Sequence, residues 1–320
     1  MENIRDFMDE LSGEIMAMLP KDLAQDLSID QATVTKMNDQ VLYGLTFKRN
    51  EVNAAPTIYV NEEFENHRDG KPMKMISGQM VQIYLDSLLS HPEVIPDDLR
   101  LESIKDDLTF RIVEIRRNHR YLSEIPYMPL GNGLAAVCDV KVQESDDGYW
   151  RTTITKAFAE QNGIDMKEMF AAALEKAPKT DPPLLISMEN QMFGFQGDNY
   201  LETGRISDED KVPMYVLSNE SGMLGASVLF YPGVQEKIAE AMGEGYTVLP
   251  SSVHEVLIVP DSLSPGQMEL AEMVRSVNRD VLDPKDILSD NVYHYDRDRK
   301  ELTTSVQSIQ LSGKNMEARC

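Results

Sequence analysis

Two hydroxyls, an imidazole and a carboxylate crowd into five residues at Ser251, Ser252, His254 and Glu255, inside the stretch "VLPSSVHEVLIVP". Such groups could hold zinc or activate a serine. A zinc-protease motif needs a second histidine at i+4 on a helix, and that position from His254 is Ile258. The β-branched run from Val253 to Val259 predicts a strand instead. A serine hydrolase needs Ser, His and a carboxylate in one chain of hydrogen bonds. On a strand Ser252 and His254 share one face, with Cα atoms ~7 Å apart from two rises of ~3.3 Å, while Ser251 and Glu255 share the other. Glu255 then orients His254 only through a bulge, and no G-x-S-x-G elbow is present. The spacing favours Pro250–His254 as the polar cap of a buried strand, with a hydrolase at Ser252 and His254 as the alternative reading.

Two other groups of residues invite chemistry. His294, Asp296 and Asp298 in "HYDRD" fall on one face of a strand, a set that could bind a hard or borderline metal. The neighbouring Arg297, Arg299 and Lys300 neutralise that site and point to a solvated hairpin tip, so no metal is expected. In "RIVEIRRNHR", Arg111, Arg116, Arg117, His119 and Arg120 form the basic cluster of the chain, able to grip a phosphate or an acidic partner or to serve as an exposed, balanced face. Gly131-Asn132-Gly133 lacks the rest of a dinucleotide fingerprint and reads as a turn. No cofactor is implied.

The elements that must position these residues follow from periodicity. Ile4, Phe7, Met8, Leu11, Ile15, Met18 and Leu19 mark one face of a helix stopped by Pro20. "TVTKMNDQVLYGLTF" predicts two strands around Asn38-Asp39, and "TIYV" another; Ile76, Met80, Ile83, Tyr84 and Leu88 return to helical spacing. "LTFRIVEIRRNHRYLSEIPY" fits strand or helix, and "GLAAVCDVKV" predicts a buried strand. Asp165 and Glu168 form a capping box for a helix ended by Pro178, with "PKTDPP" as linker. The last 140 residues alternate short apolar runs such as "PLLIS", "VPMYVL" and "GASVLFY" with helices, one closing at Gly243 and one opened by Ser264-Pro265-Gly266-Gln267. "NVYHYDRDRKELTTSV" predicts a hairpin. The expectation is an α+β protein with largely antiparallel sheets in two or three lobes, 1–95, 96–180 and 181–320.

Composition bounds the function. The chain of 320 residues has 42% hydrophobic and 27% charged residues, ordinary for a globular protein. Its net charge is −23, and the strips 1–100, 101–180 and 181–320 carry −9, −2 and −12 by count. Such a field repels phosphate backbones, which disfavours nucleic acid as a partner. No apolar run reaches the length of a membrane span and the first 19 residues carry acids throughout, so the expected compartment is the cytoplasm. Cys138 lies in an apolar run and Cys320 is the last residue, a pair unsuited to a disulfide.

The stretches "VEIRRNHRYLSEIPY", "MYVLSNESGMLGASVLFYPGV", "LPSSVHEVLIVP" and "LSDNVYHYDRDRKEL" together resemble a bacterial family defined as a domain of unknown function and recurrent in Gram-positive gut bacteria. The resemblance is most specific over Met214–Leu302. It implies an accessory or counter-defence role alongside mobile elements and brings no catalytic residues to Ser252, His254 or Glu255. Together, charge and resemblance lead to the expectation of a non-enzymatic interaction protein with a basic protein partner.

Overall fold

Alternation along Leu27–Thr35 and Val41–Arg49 makes two strands, β1 and β2, joined through Asn38 and Asp39, whose φ angles of 60° and 54° are left-handed. Short polar side chains tolerate that region better than others do. The computed structural model describes residues 3–50, 55–90, 100–145, 148–194, 197–207 and 209–304. It divides the chain into two compact units, Met1–Asp98 and Leu99–Cys320. The expected connection at His91–Asp98 and Cys320 lie outside the described residues.

In the first unit, β1 and β2 pair antiparallel through nine unshifted residue pairs, and β3 (Thr57–Tyr59) adds to the other side of β2. The helix Ile4–Met18 starts where the Asn3 side chain accepts the Arg5 N–H and stops as Leu19 turns extended before Pro20. Its Phe7, Met8, Leu11 and Ile15 pack with Ile76, Met80 and Tyr84 of the helix Met73–Ser90 against Leu45 and Phe47 of β2. Each such side chain contributes about 1.5–3 kcal/mol by leaving water. Phe47 and Tyr84 stack with ring centres 4.4 Å apart.

The second unit holds two sheets. In one, the long strand β6 (Leu134–Ser145) pairs with β4 (Leu108–Glu114) on one side and with β5 (Tyr127–Gly131) and β7 (Gly148–Thr153) on the other. The other runs β13–β12–β10–β11–β9–β8, with β8 Pro183–Ser187, β9 Tyr215–Asn219, β10 Tyr246–Pro250, β11 Val256–Pro260, β12 Tyr293–Asp296 and β13 Glu301–Thr304. Every pairing among the described residues is antiparallel, so the fold is α+β. β9 and β10 are buried at every position, which is why they read as unbroken apolar runs.

Several local expectations shift. The helix capped by Asp165 continues to Thr180, because Pro178 sits in the last turn where its missing N–H removes a single bond. Asp181 follows at once and is buried against Lys141 and Arg151 at 3.0 and 3.3 Å, so "PKTDPP" is not a free linker. The expected boundary at residue 180 falls inside the second unit. The helix expected to open at Ser264 instead spans Gln267–Asp280, because Gly266 takes φ 119° and ψ 149°, a conformation that holds the helix off until the next residue. "GASVLFY" forms a buried 3-10 turn over Gly225–Phe230, not a strand.

Candidate functional site

The basic cluster is dispersed by its own backbone. β4 ends at Glu114 and the chain turns into a short 3-10 segment, Arg116–Asn118, so the arginines leave in different directions. Arg111 lies within the sheet: its guanidinium sits 2.9 Å from the fully buried Asp139 carboxylate and donates to Thr153 Oγ1 at 2.7 Å and to the Tyr121 hydroxyl. Burial raises the Asp139 carboxyl above its ordinary value, against the pull of Arg111. Arg111 is thus committed to an internal pair. Arg116, His119 and Arg120 are exposed.

Arg117 lies between two carboxylates, with Nε 3.1 Å from Glu114 Oε2 and a terminal nitrogen on Asp290. Glu114 is 3% exposed. Burial raises its carboxyl above the ordinary range, opposed by Arg117 and Arg116, and Asn291 Nδ2 donates to its Oε1 at 3.1 Å. Burial would also raise Asp290, but hydrogen bonds from Asn278 and Arg117 hold it below the usual carboxylate value. Glu114, Ile115, Arg116, Gly133 and Asn291 line an open cleft of about 410 Å³, a volume in the small-ligand range. At the cleft an exposed guanidinium and an amide stand beside a shielded carboxylate.

Ser251–Glu255 is the connection of the β10–β11 hairpin, which closes at the pair Pro250 and Val256. The strand expected through Ser252 and His254 begins only at Val256, so the alternating faces do not apply. Ser252 Oγ accepts the backbone N–H of His254 at 3.0 Å, and Ser251 Oγ donates to Glu255 Oε1 at 3.3 Å. His254 Nδ1 accepts the backbone N–H of Leu224 at 3.2 Å, while Nε2 faces Asp286 at 3.5 Å. A general base needs a free nitrogen lone pair directed at the serine. Here Nδ1 spends its lone pair on Leu224, which leaves the proton on Nε2 toward Asp286. The carbonyl of His254 also accepts from Ser218 Oγ at 2.8 Å, and Val253 N–H donates to the Asp286 carbonyl at 2.9 Å.

His294 Nε2 lies 3.1 Å from both oxygens of Asp261, and His294 does not join Asp296 and Asp298 in a metal-binding group. Asp296 Oδ1 accepts the backbone N–H groups of Asp298 and Arg299, which shapes the β12–β13 turn. Among the described residues no three His, Cys, Asp or Glu side chains gather as metal ligands, and no helix is long and apolar enough to cross a membrane.

Sequence reasoning missed Asp139, Asp286, Asp290, Asn291 and Leu224. The last contributes only its backbone N–H, which no sequence signal marks; the others have partners too distant along the chain for any spacing to reveal.

Fold and clusters define a class: an α+β protein built on antiparallel sheets, whose buried ionisable side chains Glu114, Asp139 and Asp181 are held in internal pairs. A family model described as a family of unknown function, DUF5688, matches residues 4–297, and the chain belongs to that family. Among curated proteins and among solved structures no match was found.

Proposed function

We propose that this protein acts by binding, as a non-enzymatic interaction protein whose acidic surface engages a basic protein partner. One observation carries the reading. On the helix Ile4–Met18, Asp6, Glu10 and Glu14 fall at i, i+4 and i+8, with Asp6 and Glu10 exposed and no base in the last turn. Like charges at that spacing cost a helix about 0.2–0.5 kcal/mol per pair, so a sequence selected for stability alone would place lysine at one of them. Glu236 and Glu240 repeat the spacing in the second unit on the helix Val234–Met242. A basic partner relieves such a ridge and associates faster at low ionic strength.

A mobile-element accessory or counter-defence role is the finer form of the same reading and rests on the family resemblance; a nucleic-acid-handling enzyme as target rests on the charge. The hydrolase alternative gains a carboxylate facing His254 in Asp286, but Ser252 receives a backbone N–H and not the imidazole, which favours binding over catalysis.

Affinity purification from the native host at low and high salt tests the proposal. A stoichiometric basic partner recovered at low salt, weakened at high salt and lost on Asp6→Lys/Glu10→Lys/Glu14→Lys supports it; recovery of none at either salt removes it.

A further inference from the structure

Asparagine side chains close sheet edges in both units. Beside β2, beyond the end of β3, Asn61 Oδ1 accepts the Tyr43 N–H at 2.8 Å and its Nδ2 donates to the Val41 carbonyl at 3.3 Å. Beside β8, Asn199 Oδ1 accepts the Leu185 N–H at 3.1 Å and Nδ2 donates to the Pro183 carbonyl at 2.9 Å. On β13, Asn132 Nδ2 donates to the Leu302 carbonyl at 2.7 Å. In each case a side-chain amide stands where a neighbouring strand would offer a peptide group. Other edges are guarded differently, since β4 is buried along nearly its whole length and β5 carries Pro129.

β1 has none of these devices. It is an edge strand of nine residues, with no proline, lysine or arginine and no bulge in its register. Among the described residues, the backbone of Ser28–Thr35 bonds only β2. Nine residues at ~3.3 Å each present an open edge of roughly 30 Å.

We propose that β1 is a homodimer edge: two copies pair their β1 strands antiparallel about a two-fold axis at Gln31, merging two three-stranded sheets into one. The occupant is a second copy because the strand complements itself. Pairing about Gln31 sets Ile29 against Thr33, Ser28 against Val34 and Leu27 against Thr35, rich in β-branched residues that favour strands. The strand's single charge, Asp30, meets Ala32 and not its own copy, and it is already neutralised by Lys48 at 2.7 Å. Association stops at two, because the far side of the sheet ends in β3 and Asn61.

This inference goes beyond the acidic-surface reading and responds to salt with the opposite sign. Two chains of −23 repel, so screening tightens the dimer while weakening an acid–base complex. Sedimentation equilibrium of the full chain, run as a concentration series at low and high salt, tests it with two variants at one position. Ala32→Glu sets a carboxylate against Asp30 twice across the axis, and Ala32→Lys sets an ammonium there. The expected result is a wild-type dimer that tightens with salt, a dissociation constant raised at least tenfold (~1.4 kcal/mol) by Ala32→Glu, and one lowered by Ala32→Lys. Circular dichroism checks that both variants keep the wild-type fold; should either lose it, Ser28→Glu, placed opposite Val34, replaces it as the edge probe and is expected to weaken the dimer. A wild type that stays monomeric throughout, or Ala32→Glu and Ala32→Lys that associate alike, overturns the proposal.

Discussion

The imidazole of His254 accepts the backbone N–H of Leu224 at 3.2 Å, fixing the loop after β9 to the β10–β11 hairpin. Leu224 has φ 55°, an unusual angle for a branched side chain, and the histidine holds it there. Removing the acceptor in His254→Ala leaves the Leu224 N–H unpaired at a partly buried position and is expected to cost about 1 kcal/mol. Chemical denaturation measures this. A fluorophosphonate probe should leave Ser252 unlabelled in the folded wild type, and clean labelling that disappears in His254→Ala would restore the hydrolase reading.

Gly225 sits at the same junction. A Cβ built there lies 2.2 Å from Ser218 Oγ and 2.7 Å from both the Asn219 nitrogen and the His254 carbonyl oxygen. Two of these atoms are backbone and cannot swing away, so Gly225→Ala must displace a strand. A loss at the upper end of the usual ~1–3 kcal/mol for overpacking is expected, read as a fall in the urea midpoint. An unchanged midpoint would contradict the close approach.

Glu114 and Asp290 flank Arg117 yet should respond oppositely to pH. A raised carboxyl binds its proton more tightly in the fold, so Glu114 favours folding below the ordinary carboxylate range, and that contribution is lost as pH rises through its folded value. A lowered carboxyl does the reverse: Asp290 contributes above the ordinary range, and its contribution is lost as pH falls through its folded value. Relative to wild type, Glu114→Gln should therefore fare best at neutral pH and worsen on acidification. Asp290→Asn should be most damaging at neutral pH. Urea midpoints across this span give the two slopes, and parallel slopes would refute the assignment.

Arg111 and Asp139 form a pair removed from water, where deleting one member strands the other. Asp139→Ala should cost about 3–5 kcal/mol, and the double change Arg111→Met/Asp139→Leu should cost clearly less than the sum of its parts. A double-mutant cycle reads the difference, and additive costs would mean that the pair is not coupled.

What the sequence made legible was local. The helix Ile4–Met18, the Asn38-Asp39 turn and the Asp165 cap depend on residues within a few positions of one another, and periodicity or capping chemistry reveals them. The α+β class followed from the same signals. The polar clusters resisted because proximity in space was the missing quantity: Arg111 and Arg117 read as parts of one basic patch until Asp139 and Asp290 are placed beside them. Val253 and Val256–Val259 share the composition of a strand and so place Ser252 and His254 on one, yet the hairpin closes at Pro250 and the polar residues spill into its loop.

The bonds that complete the second unit also dictate when it can be completed during synthesis. Arg117 with Asp290, Glu114 with Asn291 and Asn132 with Leu302 span 173, 177 and 170 residues respectively. A nascent chain emerging N-terminus first therefore forms β4 and β6 long before their last partners leave the ribosome. In that interval Glu114 has only the neighbouring Arg116 and Arg117, and the Asn132 amide has no strand to cap. A chain cut short after β11 lacks all three partners and is expected to be cleaved faster than the full chain, which limited proteolysis of the two would measure.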